Sequence, residues 1–253
     1  MAIRRFAALL VSAFFVFWIT SCSEETITLD LDFGYDYFPQ EVGKFIAYQV
    51  DSIIYDQQPS GTVIDTNSIQ VREEFVESFV DNSGETVFRI ERSERRDANS
   101  PWVVRDVWSS SQNATQAVRT EENLRFIKMI YPALETTDPW DGNAFIDNNT
   151  IISVAGESIT IFKNWLYQYE SAGVPFTVSG VPFDSTLNVL QANEENLIEL
   201  RFSKEVYAKD VGMVYREMMI LDTQCIAECE GQPWEQKAEK GFILKQRIIN
   251  TNW

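Results

Sequence analysis

Carboxylates and aromatic rings carry the chemical potential of this sequence, because none of its 253 residues is a histidine. Without an imidazole there can be no histidine-based triad, no Cys–His nucleophile pair and none of the common zinc sites. Adjacent acids stand at Glu73-Glu74, Glu121-Glu122 and Glu194-Glu195. A glycosidase needs two carboxyl groups facing one another across a cleft. Neighbours on a strand point to opposite faces, so these pairs read as solvated charge and no catalytic residue is assigned. Asp138, Asp141, Asn143 and Asp147, grouped around Gly142, offer hard oxygen ligands that would suit calcium. Their spacing departs from the EF-hand pattern, so turn capping is the expected use and calcium the alternative. Trp140, Trp165, Tyr167 and Tyr169 offer ring faces on which a sugar or peptide could stack, although aromatics at alternating strand positions more often fill a core. The sequence has no Gly-x-Ser-x-Gly, no Ser-x-x-Lys and no phosphate-cradling glycine loop. The expectation is a protein that is not an enzyme and takes no cofactor.

The cysteines point to chemistry of another kind. Arg4 and Arg5 precede an apolar run over residues 6–18, the layout of a secretory signal. The run is shorter than the roughly 20 residues of a spanning helix. Ile19-Thr20-Ser21-Cys22 resembles the bacterial lipobox. That resemblance implies cleavage before Cys22, a diacylglycerol in thioether linkage to its sulfur, and an acyl chain such as palmitate on the new amino group. Each buried CH₂ contributes about 0.8 kcal/mol, so several chains hold a protein on a bilayer. The following Ser23-Glu24-Glu25 resembles the acidic export signals of surface lipoproteins in Bacteroidota-type bacteria; a plain solvated tether is the alternative. With Cys22 committed to lipid, Cys225 and Cys229 remain. An even number of thiols in an exported chain suggests a disulfide. Three residues separate them where redox motifs have two, so the expected role is to pin one turn.

The composition, 45% hydrophobic with 13% aromatics, is that of a folded globular chain. Its net charge of −17 becomes more negative when Arg4 and Arg5 leave with the leader, which repels nucleic acid and favours cationic partners. Period-two alternation marks strands over 44–55 (Ile46, Tyr48, Val50 and Ile54 on one side), 85–92, 101–108 (Trp102, Val104 and Trp108), 124–131 (Phe126 and Ile130 against Arg125 and Lys128), 159–169, 186–190, 196–203 and 242–250. Residues 68–80 read as the first arm of a hairpin, 173–182 as turns, and 132–149 as the longest irregular stretch. Lys209-Asp210-Val211-Gly212 marks a tight corner between two strands. The expected fold is mainly β: a single antiparallel meander curled into a barrel, half-barrel or sandwich, with little helix. The expected division is a leader over 1–21, an acidic tether over 22–32 and one β domain over 33–253.

The chain resembles a group of uncharacterised lipoproteins of Bacteroidota-type bacteria through residues 22–25, 36–43, 44–53, 140–143 and 203–214. That resemblance implies a lipid-anchored outer-membrane lipoprotein with no activity attached; an envelope protein or glycan is one expected kind of partner, its identity open. The long antiparallel layout also looks like periplasmic lipid-carrier folds of the LolA type. Three roles follow as expectations: a non-catalytic binding or assembly protein of the envelope, a carrier of lipid in a curved sheet, or a surface glycan hydrolase. The carrier requires a continuous apolar cavity, and the hydrolase an open cleft with facing carboxyls.

Overall fold

The computed structural model describes residues 31–253. Cys22, the leader and most of the tether lie outside the described residues. One compact unit spans Asp32–Trp253. It is almost wholly β, as its alternating sequence requires: β1 (Phe45–Gln58), β2 (Gly61–Val80), β3 (Thr86–Arg95), β4 (Val103–Gln112), β5 (Gln116–Glu121), β6 (Leu124–Ile130), β7 (Ile151–Val154), β8 (Glu157–Thr160), β9 (Gln168–Val178), β10 (Val181–Glu195), β11 (Glu199–Ala208), β12 (Gly212–Asp222) and β13 (Lys240–Thr251). Helix is confined to a 3-10 turn, Tyr35–Tyr37, and one α-turn, α1 (Trp234–Lys237). Eleven strands form one antiparallel sheet in the order β6-β5-β4-β3-β2-β1-β13-β12-β11-β10-β9, with β7 and β8 as a separate hairpin. This is a meander whose first and last strands lie side by side at its centre, curled into a half-barrel.

Residues 68–80 are strand, as the hairpin reading requires, paired with β1 and β3 on either side. Ile46, Tyr48 and Val50 face the interior together with Val71 and Phe75. The corner at 209–212 closes with Asp210 and Gly212 at φ 62° and 98°. Three readings are corrected. Residues 159–169 do not form one strand, because β8 ends at Thr160 and β9 begins at Gln168. Residues 173–182 belong mostly to β9 and β10 rather than to turns; β9 is an edge strand, where the missing N–H of Pro175 costs no ladder bond. A bulge at Arg105 shifts the phase of β4, so Trp108 is buried while Val104 stays 50% exposed.

The sheet's two edges, β6 and β9, are consecutive in the main sheet and joined through residues 131–167. Part of that connection fills the gap between them. Trp140 and Tyr167 exchange backbone hydrogen bonds of 2.9 and 2.8 Å, and the Ile127 amide donates to the Gly142 carbonyl at 2.8 Å. The Trp140 indole N–H donates to the Ile127 carbonyl at 3.0 Å, and the Tyr169 hydroxyl to the Ile130 carbonyl at 2.7 Å. Glycine is needed at 142 for close approach. A Cβ there would lie 2.3 Å from the Tyr167 ring, which is buried and cannot swing away. Gly142→Ala is therefore expected to lower stability by about 1–3 kcal/mol, the usual cost of overpacking a filled site. Urea denaturation checks this, and a loss under half a kilocalorie would show that the closure is loose.

Candidate functional site

The curl brings charged side chains from opposite parts of the sheet together inside the half-barrel. Lys128 of β6 donates to Glu121 of β5 at 2.8 Å and to Glu205 of β11 at 3.0 Å. Arg216 of β12 reaches the same two carboxylates at 3.1 and 3.2 Å. Beside them Arg119 of β5 donates to Glu73 of β2 at 3.0 Å. The Tyr207 hydroxyl donates to Glu205 at 2.6 Å, and the Tyr48 hydroxyl to the Met213 carbonyl at 3.0 Å. Glu205 is fully buried, and Lys128 and Glu73 nearly so. Three carboxylates thus meet three cations, and the group is electrically balanced.

Each member sits there because of strand parity. Glu73 lies between inward-facing Val71 and Phe75, Glu205 between Ser203 and Tyr207, and Arg216 between Val214 and Met218. Lys128 arrives through a bulge in β6, where the pairing with β5 slips between Ala117 and Val118. The expectation that Lys128 faces solvent is thereby corrected, as is the reading of Glu73 and Glu121 as solvated charge. Glu74, the sequence neighbour of Glu73, does point away from the interior, as alternation demands, while Glu122 lies exposed in the β5–β6 turn.

Burial by itself would push the Glu121 carboxyl up, but Lys128, Arg216 and Arg119 outweigh it and hold it well below the usual carboxylate range. Glu205 is lowered in the same way: burial and the Glu121 charge oppose ionisation, while Lys128 and Arg216 prevail. Arg119 and Arg216 are raised despite burial by the acids that face them. Burial raises the Tyr48, Tyr167 and Tyr207 hydroxyls well above the usual phenol value. Glu121 and Glu205 are thus fixed as anions, and the Tyr48, Tyr167 and Tyr207 hydroxyls as neutral groups.

The interior is also full. Tyr37, Phe126, Phe162, Trp140, Trp165, Tyr167, Tyr169 and Leu187 belong to one continuous cluster. The cavity beside Arg119, lined by Phe38, Tyr48, Tyr207 and Met213, holds about 20 Å³. That is room for one water and far short of an acyl chain, so this cavity is not the continuous apolar one a lipid carrier requires. Glu121 and Glu205 do converge on one ammonium, but both are sealed from solvent, so they do not form the open cleft of a glycan hydrolase.

Compared with known proteins, no family model matches the chain and no curated protein matches it. Among solved structures it is similar to the crystal structure of a putative lipoprotein from Parabacteroides distasonis, at 11% identity and a TM-score of 0.41, over 88% of this chain and 100% of that one. A likeness at that level assigns neither family nor function.

The residues singled out in the sequence take the following places. Trp140, Trp165, Tyr167 and Tyr169 are all core residues, 7% exposed or less, so the ligand-stacking alternative is corrected in favour of packing. The calcium alternative is corrected as well. Asp141 caps the amide of Asn143, Asp147 caps that of Asn149, and the Asn143 side-chain oxygen accepts from the Tyr167 hydroxyl. Among the described residues no three acidic or thiol side chains, Asp138 included, converge as a metal set. Cys225 and Cys229 form a disulfide with Cα atoms 5.6 Å apart. It lies in the connection between β12 and β13, whose Trp234 packs with Tyr55, Leu200, Leu221 and Ile243 in a second cluster on the sheet's other face. The sequence signal for the interior network was present but faint: a charged residue flanked at i−2 and i+2 by inward-facing residues of a strand.

Proposed function

We propose that this chain is a lipid-anchored outer-membrane protein whose β domain binds an envelope partner without catalysis, through an unpaired strand edge. Cys22 carries the anchor in this reading, and Ser23-Glu24-Glu25 directs the domain to the cell surface. The observation that carries the binding reading is the overhang of β2. Residues 61–69 pair with β1 along one side, whereas the pairing of β2 with β3 begins only at Gln70. Among the described residues, no strand covers the other side of 61–69. Natural proteins blunt free edges with lysine, proline or bulges. The run Gly61-Thr62-Val63-Ile64-Asp65-Thr66-Asn67-Ser68-Ile69 has no lysine or proline, and Val63 and Ile64 are more than half exposed. Such an edge accepts an extended segment by strand addition, in which backbone hydrogen bonds give affinity and alternate side chains give specificity. Asp56 and Asp65 on the hairpin favour a segment carrying cationic side chains.

The test has two parts in cells expressing the full chain. The mature N-terminus is expected to show an acylated Cys22 by mass, and Cys22→Ala to move the protein out of the membrane fraction. A photo-crosslinking residue at Ile64 is expected to give a discrete adduct that Thr62→Lys with Thr66→Lys abolishes. An unmodified Cys22 overturns the anchor, and adducts unchanged by the lysines overturn the edge.

A further inference from the structure

The described domain also shows which of its ends the anchor would hold near a bilayer. The strands run between two ends. One carries the β1–β2 and β3–β4 turns; the other carries the β2–β3, β4–β5 and β11–β12 turns and the start of the described chain. At this second end Asp32 is tied down, its carboxylate accepting from the Gly34 amide at 2.9 Å and from Lys209 at 2.8 Å. Ten Cα-to-Cα steps lead from Cys22 to Asp32. At most 3.3–3.6 Å each, they span about 35 Å, so an acyl anchor on Cys22 keeps this rim close to the membrane whatever path they take.

The rim has the side chains that such a position uses. Phe33 stacks on Tyr35 with ring centroids 5.7 Å apart, and Tyr35 meets Tyr131 edge-on at 4.6 Å. Phe33, Tyr35 and Leu134 are 39%, 38% and 40% exposed. The Tyr35 hydroxyl donates to the Ala114 carbonyl, and the Tyr131 hydroxyl accepts from Gln112, so both rings keep polar tips engaged at the protein and leave apolar area outward. The Ala133 amide donates to the Phe33 carbonyl at 2.9 Å, which fixes Leu134 beside them. Amphipathic rings of this kind gather at the headgroup level of membranes. The local charge selects the lipid. Lys209 is shared between Asp32 and Asp36, at 2.8 and 3.6 Å, and offers no free cation to an anionic headgroup.

We infer that the rim formed by Phe33, Tyr35, Tyr131 and Leu134 seats in the headgroup region of a zwitterionic bilayer, so that the domain stands end-on with the free edge of β2 directed away from the membrane. This rests on acylation of Cys22. The test is hydrogen–deuterium exchange on the full acylated protein in phosphatidylcholine vesicles against the same protein in detergent. Exchange over residues 32–38 and 131–135 is expected to slow severalfold on vesicles, while residues 56–64 stay unchanged. Leu134→Ser and Phe33→Ser, each still acylated and still pelleting with vesicles, are expected to lose that protection. Acylated, vesicle-bound protein with no slowing at the rim overturns the seat alone. Protein found without acyl mass and off the vesicles overturns the anchor on which it rests. Protection that grows with protein concentration in the absence of vesicles would assign the rim to a second copy of the chain and also overturn the seat.

Discussion

Lys128→Met is expected to cost the domain about 3–5 kcal/mol, the range for breaking a buried ion pair by removing one partner. Methionine fills much the same volume and is unbranched, so the loss is electrostatic rather than a cavity. Without the ammonium, Glu121 and Glu205 are left with Arg216 as their common cation, in an interior where neither can recover water. A domain of this kind has roughly 5–15 kcal/mol of stability in total, so the variant sits near the threshold of folding. Adding Glu121→Gln to Lys128→Met removes one of the two stranded charges and leaves Arg216 facing Glu205; that double variant is expected to recover most of the loss. Lys245→Met is the control. Its bridge to Glu217 is 3.0 Å long but the lysine is 44% exposed, and such pairs contribute less than about 1 kcal/mol. Urea denaturation of the four proteins decides the matter: equal small losses for Lys128→Met and Lys245→Met would mean that water reaches the interior charges.

The same residues show what could be read from the sequence and what could not. The alternation of Ile46, Tyr48 and Val50, or of Phe88 and Ile90, is set by local sterics and burial, and it placed these strands and the mainly antiparallel β class while leaving barrel, half-barrel and sandwich open. Two devices interrupt that logic. Bulges at Arg105 and at Lys128 insert one residue and reverse the faces beyond it, which no period-two count detects. Which strands meet across the interior is set by the curl of the whole sheet. The partner of Glu205 on β11 lies on β6, and the partner of Glu73 on β2 lies on β5. A carboxylate's neighbour in sequence says nothing about that, so the paired acids gave the right parity and the wrong environment. The aromatic quartet around Trp140 shows a related limit: residue type leaves core and binding face both open, and the choice of core, with a part in closing the gap between β6 and β9, depends on the long connection's path.

Stability is expected to be flat from roughly pH 5.5 to 9 and to fall on both sides, for reasons the interior makes explicit. On the acid side Glu121 and Glu205 have folded-state values below the unfolded value of 4.5. The unfolded chain therefore binds more protons as pH falls. The stability these carboxylates contribute is complete above about 4.5 and drains away as pH drops toward their folded values. On the alkaline side Tyr48, Tyr167 and Tyr207 are raised well above 10.0 by burial, so the unfolded chain loses protons first and stability declines as pH climbs past 10. Each unit by which a group's folded and unfolded values differ is equivalent to about 1.4 kcal/mol, and several buried phenols act together. Between these limbs lies the range in which histidine would titrate, and the chain has none. Urea midpoints at constant ionic strength should show the plateau. The part of the tyrosinate absorbance that belongs to Tyr48, Tyr167 and Tyr207 should appear together with unfolding. In Lys128→Met the acid limb should begin at higher pH, because the cation that holds both carboxylates down is gone; an acid limb unmoved by that substitution would detach the pH profile from the buried network.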